Sequence, residues 1–187
     1  MWRPFSFVVQ CSMVAARSLE EAEALIDRKS YRDAMARLGA AVSIITTVGA
    51  GGQRGFTASA VCSVTDDPPT LLLCVNRTSD SHDPLKTNGV LCVNTLSASQ
   101  EDLSGIFAGI TGILGADRFQ HGEWGTLETG CPVLRDAVVS FDCRITEVTE
   151  IGTHTVFFCQ VLAIQTGASH EGLIYFGRAY HRIVVAA

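Results

Sequence analysis

The chain has 187 residues, of which 47% are hydrophobic and 18% charged, and its formal net charge is -5. This length and apolar content are typical of one compact domain with a sizeable core. Because the net charge is negative and no long basic run occurs, we expect no nucleic-acid partner. The apolar stretch at the start of the chain is too short to span a bilayer, and we expect no membrane partner either.

The seven cysteines are an odd number and include no Cys-x-x-Cys pair. Most of them lie in apolar runs such as "TLLLCV", "VLCVN" and "FFCQV". This usage is typical of small core residues in a reducing compartment, so the sequence predicts a cytoplasmic protein. The five histidines lack the close spacing of metal ligands, and the sequence therefore predicts no metal site.

Residues 1–17 are predicted to form a loosely ordered tail before a single domain over residues 18–187. Arg3 and the short apolar run after it resemble a weak signal peptide, but polar residues interrupt that run. We therefore favour a tail over a secretion signal.

Three short segments carry helix-start signals. Ser18–Glu21 and Ser30–Asp33 each place a hydroxyl cap three residues before an acid, and Gly39 is predicted to close the second helix. A third capping box is predicted at Ser99 and Asp102. Apolar residues recur at helical spacing after each start. We expect the first two helices to cover a barrel.

Strand patterns dominate from Ala40 onward. "GAGGQRG" begins like a dinucleotide-binding fingerprint, but Arg54 takes the third glycine position and a strand pattern follows, so a hairpin turn is predicted. The wholly apolar "TLLLCVN" is predicted to be buried on both faces. No repeat, linker or second domain is evident. The sequence thus predicts a mainly β fold with flanking helices.

The segment Gly55–Pro69, "GFTASAVCSVTDDPP", is a strand of unusually small residues. Read as one strand, it has two alternating faces, with Ala58, Ala60, Cys62 and Val64 on one and Thr57, Ser59 and Ser63 on the other. Strands usually favour branched and aromatic side chains, so small ones suggest that something flat approaches the backbone. The alternative is an ordinary strand with a solvated hydroxyl face.

Several ordered motifs resemble those of one enzyme family. They include "GFTASAVCSVTDDPPTLLLCVNRTS", "GVLCVNTLSASQEDLSGIFAG", "GTHTVFF" and "LIYFGRAY". These motifs are similar to those of the short-chain flavin reductases, the reductase components of two-component flavin-dependent monooxygenases, among them the chlorophenol and 4-hydroxyphenylacetate hydroxylase reductases. The resemblance covers roughly residues 31–182.

This resemblance implies a flavin-reductase-like (FMN-binding) split β-barrel of Greek-key type. It also implies a homodimer, with flavin bound near the subunit interface. The implied reaction transfers hydride from NADH or NADPH to FAD or FMN, and the reduced flavin then leaves for a separate oxygenase that acts on an aromatic compound. Such chemistry needs no dinucleotide fold, because the nicotinamide only has to stack on the flavin.

The resemblance also implies which residues contact the flavin. The ring would lie against the small residues of the strand, namely Thr57, Ala58, Ser59, Ala60, Cys62 and Ser63. The phosphate would be met by the loop residues Asn76, Arg77, Thr78 and Ser79. Taken without the family, this loop is an ordinary polar turn.

His154 is implied as the residue beside the nicotinamide, although Thr153 stands where the family has an aspartate. The alternative is a polar residue at the mouth of a strand. Phe107 is implied near the flavin, but its spacing equally predicts a core residue. Three residues of "LIYFGRAY" are implied near the entrance of the active site, with packing as the alternative: Tyr175, Arg178 and Tyr180.

The residues alone leave two other functions open. The barrel could be a non-catalytic flavin-binding or flavin-carrying module, because one fold hosts several functions. It could also bind an apolar metabolite without any flavin.

Overall fold

The computed structural model describes residues 26–184. These residues fall into two compact units, divided after Leu38. The predicted tail and the helix start at Ser18 lie outside the described residues. That the predicted helices cover the barrel, and that residues 18–187 form one domain, stay predictions.

The first unit contains helix α1, Arg28–Met35. It begins earlier than predicted, because the Asp27 carboxylate caps it by accepting hydrogen bonds from the main-chain N–H groups of Lys29 (2.8 Å) and Ser30 (2.9 Å). The prediction of Ser30 as the cap was therefore wrong. Gly39 does not close the helix either, since α1 ends at Met35.

The second unit consists mainly of antiparallel strands, as the sequence predicted. Its strands are β1 (Ala40–Ala41), β2 (Ser43–Thr47), β3 (Arg54–Ala58), β4 (Val61–Asp66), β5 (Pro69–Asn76), β6 (Val90–Thr95), β7 (Trp124–Gly125), β8 (Val133–Leu134), β9 (Val139–Ile151), β10 (His154–Thr166), β11 (Glu171–Phe176) and β12 (Ala179–Val184). Its α-helices are α2 (His82–Asn88) and α3 (Glu101–Phe107), and 3₁₀ turns lie at Ala98–Gln100 and Gly115–Gln120. Among residues 26–184, none of the helices has the length and apolar character needed to cross a membrane.

Seven strands form one sheet in the order β3-β2-β6-β9-β10-β5-β4. Strands β3 and β4 lie at opposite edges, yet only Ser59 and Ala60 separate them. Three peptide units span at most about 11 Å. The two edges must therefore come together, and the sheet closes into a barrel. A second sheet has the order β1-β11-β12, and β7 pairs with β8.

This connection corrects the prediction of one continuous strand over the small residues. The chain leaves β3 at Ala58 and begins β4 at Val61, so the period-two alternation does not run through Ser59 and Ala60. The hairpin predicted at "GAGGQRG" is confirmed, because β2 and β3 pair antiparallel on either side of it.

Strand β5 is buried on one face only. Leu71, Leu73 and Val75 enter the barrel core, whereas Leu72 and Cys74 are half-buried. The prediction that "TLLLCVN" is buried on both faces was therefore wrong for this chain, because alternate side chains of a barrel strand point away from its interior.

Helix α3 is preceded by a capping box two residues earlier than predicted. The pair is Ser97 and Gln100, and the Ser97 N–H donates to Gln100 Oε1 at 3.0 Å. The predicted pair, Ser99 and Asp102, does not form the box, because Ser97 is the last extended residue before the chain turns.

The six cysteines in the described part of the chain are free thiols. Cys92, Cys131, Cys143 and Cys159 are buried, as the sequence predicted, and burial raises the pKa of Cys159 to about 12. Cys62 is exposed and Cys74 half-buried, so these two are not core residues.

Candidate functional site

Three segments meet at one end of strands β4, β5 and β10. Asn76 is the register partner of His154, and the Arg77 N–H donates to the Thr153 carbonyl at 3.0 Å. The Ala60 carbonyl accepts from the Cys74 N–H at 3.0 Å, two residues before Asn76. The structure thus brings the loop 76–79, the turn before His154 and the start of β4 close together.

Hydrogen bonds within the loop 76–79 fix its shape. The Asn76 side-chain oxygen accepts from both the N–H and the hydroxyl of Thr78, each at 3.0 Å, and the Ser79 N–H donates to the Asn76 carbonyl at 3.0 Å. Three successive main-chain N–H groups, those of residues 77 to 79, therefore already have partners. An anion at this loop would be bound by side chains, mainly by the Arg77 guanidinium.

The sequence analysis missed two charged residues beside Arg77, namely Glu150 and Lys86. The Arg77 guanidinium donates to the Gly152 carbonyl at 3.2 Å and lies 3.7 Å from the Glu150 carboxylate. Lys86, on α2, donates to the same carboxylate at 3.0 Å. The hydrogen bond from Lys86 is the main reason that the pKa of Glu150 is lowered from its ordinary value. We call Arg77, Lys86 and Glu150 the charge cluster.

His154 begins β10 and is exposed. Its Nδ1 shares a hydrogen bond of 2.9 Å with the Thr153 hydroxyl. The hydroxyl can orient the ring but brings no negative charge. Gly152, in the turn just before, has a φ of 55°, a left-handed conformation that suits glycine.

A buried histidine supports this end of the barrel from inside. His82, the first residue of α2, is 5% exposed, and its Nε2 shares a hydrogen bond of 2.8 Å with the buried Thr155 hydroxyl. Its Nδ1 lies 2.8 Å from the Asp83 carboxylate. Since an ionised carboxylate only accepts, Nδ1 carries a proton, and in the neutral ring Nε2 accepts from Thr155. The bond ties α2 to the residue that follows His154.

The small residues near the crossing from β3 to β4 are mostly accessible. Ser59, Ala60, Cys62 and Ser63 are exposed, and Ala58 is half-buried. Cys62 lies opposite Leu72 on the outer side of the barrel, where β5 carries its half-buried residues. The main chain at the crossing can therefore be approached closely from outside.

Thr57, unlike the exposed small residues at the crossing, is hydrogen-bonded to helix α3. Its hydroxyl donates to the Ser104 carbonyl at 2.7 Å, and the Ser104 hydroxyl donates to the Tyr180 oxygen at 2.6 Å. The rings of Tyr175 and Tyr180 pack edge to face, with centroids 5.5 Å apart. Hydrogen bonds thus join β3 to the C-terminal hairpin through Ser104. Both tyrosines also pack against the core.

Phe107 is a core residue, 1% exposed. Its ring packs against Phe119 at 5.3 Å and Trp124 at 5.5 Å. A Cβ atom at Gly55 would lie only 2.6 Å from this ring, so glycine is required there. The structure thus shows Phe107 packed in the core, and its implied place near the flavin stays a prediction.

Arg178 lies in the turn between β11 and β12 and is exposed, with a φ of 67°. Its implied place near the entrance of the active site stays a prediction. A cavity of about 490 Å³ lies elsewhere, and none of the sequence-predicted site residues lines it. Its lining residues are Gly112, Ile113, Leu114, Asp117, Gln120 and His121.

A family model described as "flavin reductase like domain" matches residues 35–184, which include nearly all of the barrel and every residue of the candidate site. The chain therefore belongs to the flavin reductase family, as its motifs predicted, and it is an enzyme of that class. An FMN reductase (NADH) RutF of Ancylobacter novellus is 57% identical to it over 158 residues, covering 84% of this chain and 86% of the relative. A protein of the same name from Pantoea ananatis is 53% identical over 166 residues, covering 89% and 86%.

Solved structures agree with this assignment. A presumed flavin reductase of Haemophilus somnus is 46% identical, with a TM-score of 0.80, covering 84% of this chain and all of the other. The NADH:FAD oxidoreductase SgcE6 of Streptomyces globisporus is 29% identical, with a TM-score of 0.79, covering 86% and 96%. The predicted split-barrel fold is confirmed.

The His82–Thr155 bond should stabilise the fold. In Thr155→Val the shape is kept but the buried Nε2 loses its partner, so we expect the free energy of unfolding to fall by about 1–3 kcal/mol. Urea denaturation measures this change. Thr149→Val, at an exposed position of β9, is the matched control and should change the value by less than about 0.5 kcal/mol. Equal stability of Thr155→Val and the parent would show that the bond is unimportant.

Proposed function

We propose that this chain is an NADH-dependent FMN reductase that releases reduced FMN to a separate oxygenase. The observation that carries the proposal is its 53% and 57% identity, over more than four fifths of each chain, to proteins named FMN reductase (NADH). The NADH:FAD oxidoreductase among the structural neighbours is only 29% identical. FMN is therefore the better supported of the two flavins left open by the sequence, and NADH is better supported than NADPH.

In this proposal the crossing from β3 to β4 receives the flavin ring. Ser59 and Ala60 are exposed and small, so a flat ring can lie against the main chain there. When bound, the flavin supplies a two-electron acceptor for the hydride of NADH. Main-chain dipoles close to the ring would favour the negative charge that develops on reduction.

The loop 76–79 would hold the flavin phosphate. Since the loop N–H groups of residues 77 to 79 have partners, Arg77 would supply the positive charge and the Ser79 hydroxyl a further donor. The Thr78 hydroxyl donates to Asn76 and would have to turn away from it to meet the phosphate. His154, next to this loop in register, would shape the nicotinamide pocket. No proton transfer is required of it, because orientation of the two rings carries most of the rate enhancement in hydride transfer.

The homodimer and the oxygenase partner are part of the proposal. Near its C-terminal end, strand β10 carries two exposed apolar residues, Leu162 and Ile164. Such a surface is suited to a second subunit. Sedimentation equilibrium would test the dimer, and a monomer at micromolar concentration would contradict it. The aromatic substrate of the oxygenase rests on the family resemblance alone, since the names of the two curated relatives give only FMN and NADH.

A turnover assay tests the proposed activity. With excess FMN and oxygen, which reoxidises the product, NADH absorbance should fall steadily over many turnovers per enzyme. A flavin carrier would give at most one turnover. A barrel that binds an apolar metabolite would show no flavin affinity. Replacing NADH by NADPH, or FMN by FAD, should lower kcat/KM.

Arg77→Ala tests the phosphate loop. We expect the Kd for FMN to rise about five- to tenfold, because a charge-assisted contact at an exposed site is lost. The Kd for riboflavin, which has no phosphate, should change by less than about twofold. Flavin fluorescence titration measures both. Arg135→Ala, at another exposed arginine in an ion pair, is the control. Equal losses for FMN and riboflavin would remove Arg77 from this role.

His154→Ala tests the nicotinamide pocket. Loss of an orienting contact should lower kcat/KM for NADH about ten- to hundredfold and leave the Kd for FMN within about twofold. Stopped-flow reduction of bound FMN, set beside flavin titration, separates the two effects. His170→Ala, at an exposed loop position, should leave both unchanged. Unchanged reduction at every NADH concentration would make His154 a strand-end histidine without contact to the cofactor.

A further inference from the structure

The charge cluster has an unusual composition for a phosphate site. Its two cations, Arg77 and Lys86, share one carboxylate, that of Glu150, at 3.7 and 3.0 Å. The three side chains come from the loop after β5, from α2 and from the end of β9. All three are roughly half exposed, with side-chain exposures of 49%, 42% and 45%. A ligand at the loop could therefore reach the cations without unfolding any element.

We propose that Glu150 competes with the flavin phosphate for Arg77 and Lys86, so that it limits flavin affinity and speeds flavin release, and that Lys86 is a second phosphate-binding cation. The inference rests on the proposed function, because it takes the loop 76–79 as the phosphate site. It deepens that function by naming a residue that sets how long the flavin stays bound.

Two opposite effects of Glu150 have to be compared. Glu150 holds Arg77 and Lys86 in place, which would help a phosphate to bind. It also occupies the same cations and repels the phosphate, which would hinder binding. Exposed ion pairs order their side chains weakly and contribute little free energy, so the first effect is small. A phosphate monoester carries about two negative charges, so its Coulomb interaction with each charge of the cluster is about twice that of a carboxylate. The hindering effect is therefore the larger one.

The position of Arg77 supports this direction. Its guanidinium is already oriented without Glu150, because it donates to the Gly152 carbonyl at 3.2 Å. The main chain of Arg77 is also fixed, since its N–H donates to the Thr153 carbonyl. Removing the charge of Glu150 would therefore leave Arg77 in place. An enzyme that passes reduced flavin to another protein must let it go, and an anion beside the phosphate site favours that step.

The test is Glu150→Gln, which keeps the shape of the side chain and removes its charge. We expect the Kd for FMN to fall about three- to tenfold and the rate of FMN release to fall by a similar factor. The Kd for riboflavin should stay within about twofold. Fluorescence titration and stopped-flow displacement measure these values. Because salt screens exposed charges, the gain in FMN affinity should shrink at high ionic strength.

Two further variants complete the experiment. Lys86→Gln should raise the Kd for FMN about three- to tenfold with riboflavin unaffected, if Lys86 binds the phosphate. Glu123→Gln is the matched control, because Glu123 also pairs with an exposed arginine, Arg135, and its loss changes the net charge equally. FMN affinity should not change in this control.

The remaining outcomes contradict either the roles of Glu150 and Lys86 or the phosphate site on which those roles depend. Weaker or unchanged FMN binding in Glu150→Gln would overturn it, since Glu150 would then orient the cations or do nothing. An equal gain in Glu123→Gln would overturn it as well, because the effect would come from net charge. If Lys86→Gln left the Kd for FMN unchanged, Lys86 would not bind the phosphate. If the parent bound FMN no better than riboflavin, the phosphate site itself would fail, which is a failure of the proposed function.

Discussion

The two-residue crossing at Ser59 and Ala60 is the constraint on which the rest of the structure depends. It joins the two edges of a seven-stranded sheet, so the end of β3 and the start of β4 have to lie close together and the sheet curves into a barrel. Gly55, shortly before the crossing, is small for another reason, because Phe107 packs directly on its backbone. Core packing thus explains one position of the small-residue pattern.

This same crossing shows where sequence reasoning stops. A period-two pattern indicates which side chains share a face, but it does not indicate where a strand ends and joins another edge, since edges are set by pairing with residues far along the chain. The mainly β fold and the hairpin between β2 and β3 could be predicted, because alternation and glycine-rich turns are local signals. The helix caps were shifted, because Asp27 and Ser97 compete with the serines nearby as capping residues.

The candidate site, like the fold, could be predicted from the sequence only in part. The loop 76–79 and His154 were reached from their motifs, and the structure brings them together as register neighbours. Lys86, Glu150 and the His82–Thr155 bond could not be reached, because each pairs residues more than sixty positions apart. Phe107 lies in the core, as its helical spacing predicted, since a residue on an apolar helical stripe is usually part of the core.

The site combines rigid support with weak surface contacts. Beneath it, His82 and Thr155 are buried and hydrogen-bonded, so the start of β10 and the start of α2 are held in fixed relation. Above it, the side chains that a phosphate would meet are half exposed, and their ion pairs are screened by solvent. Fixed geometry favours correct placement of two stacked rings, whereas exposed charges favour modest affinity. A flavin held in this way is suited to being a substrate that arrives and leaves, and less suited to being a permanent prosthetic group.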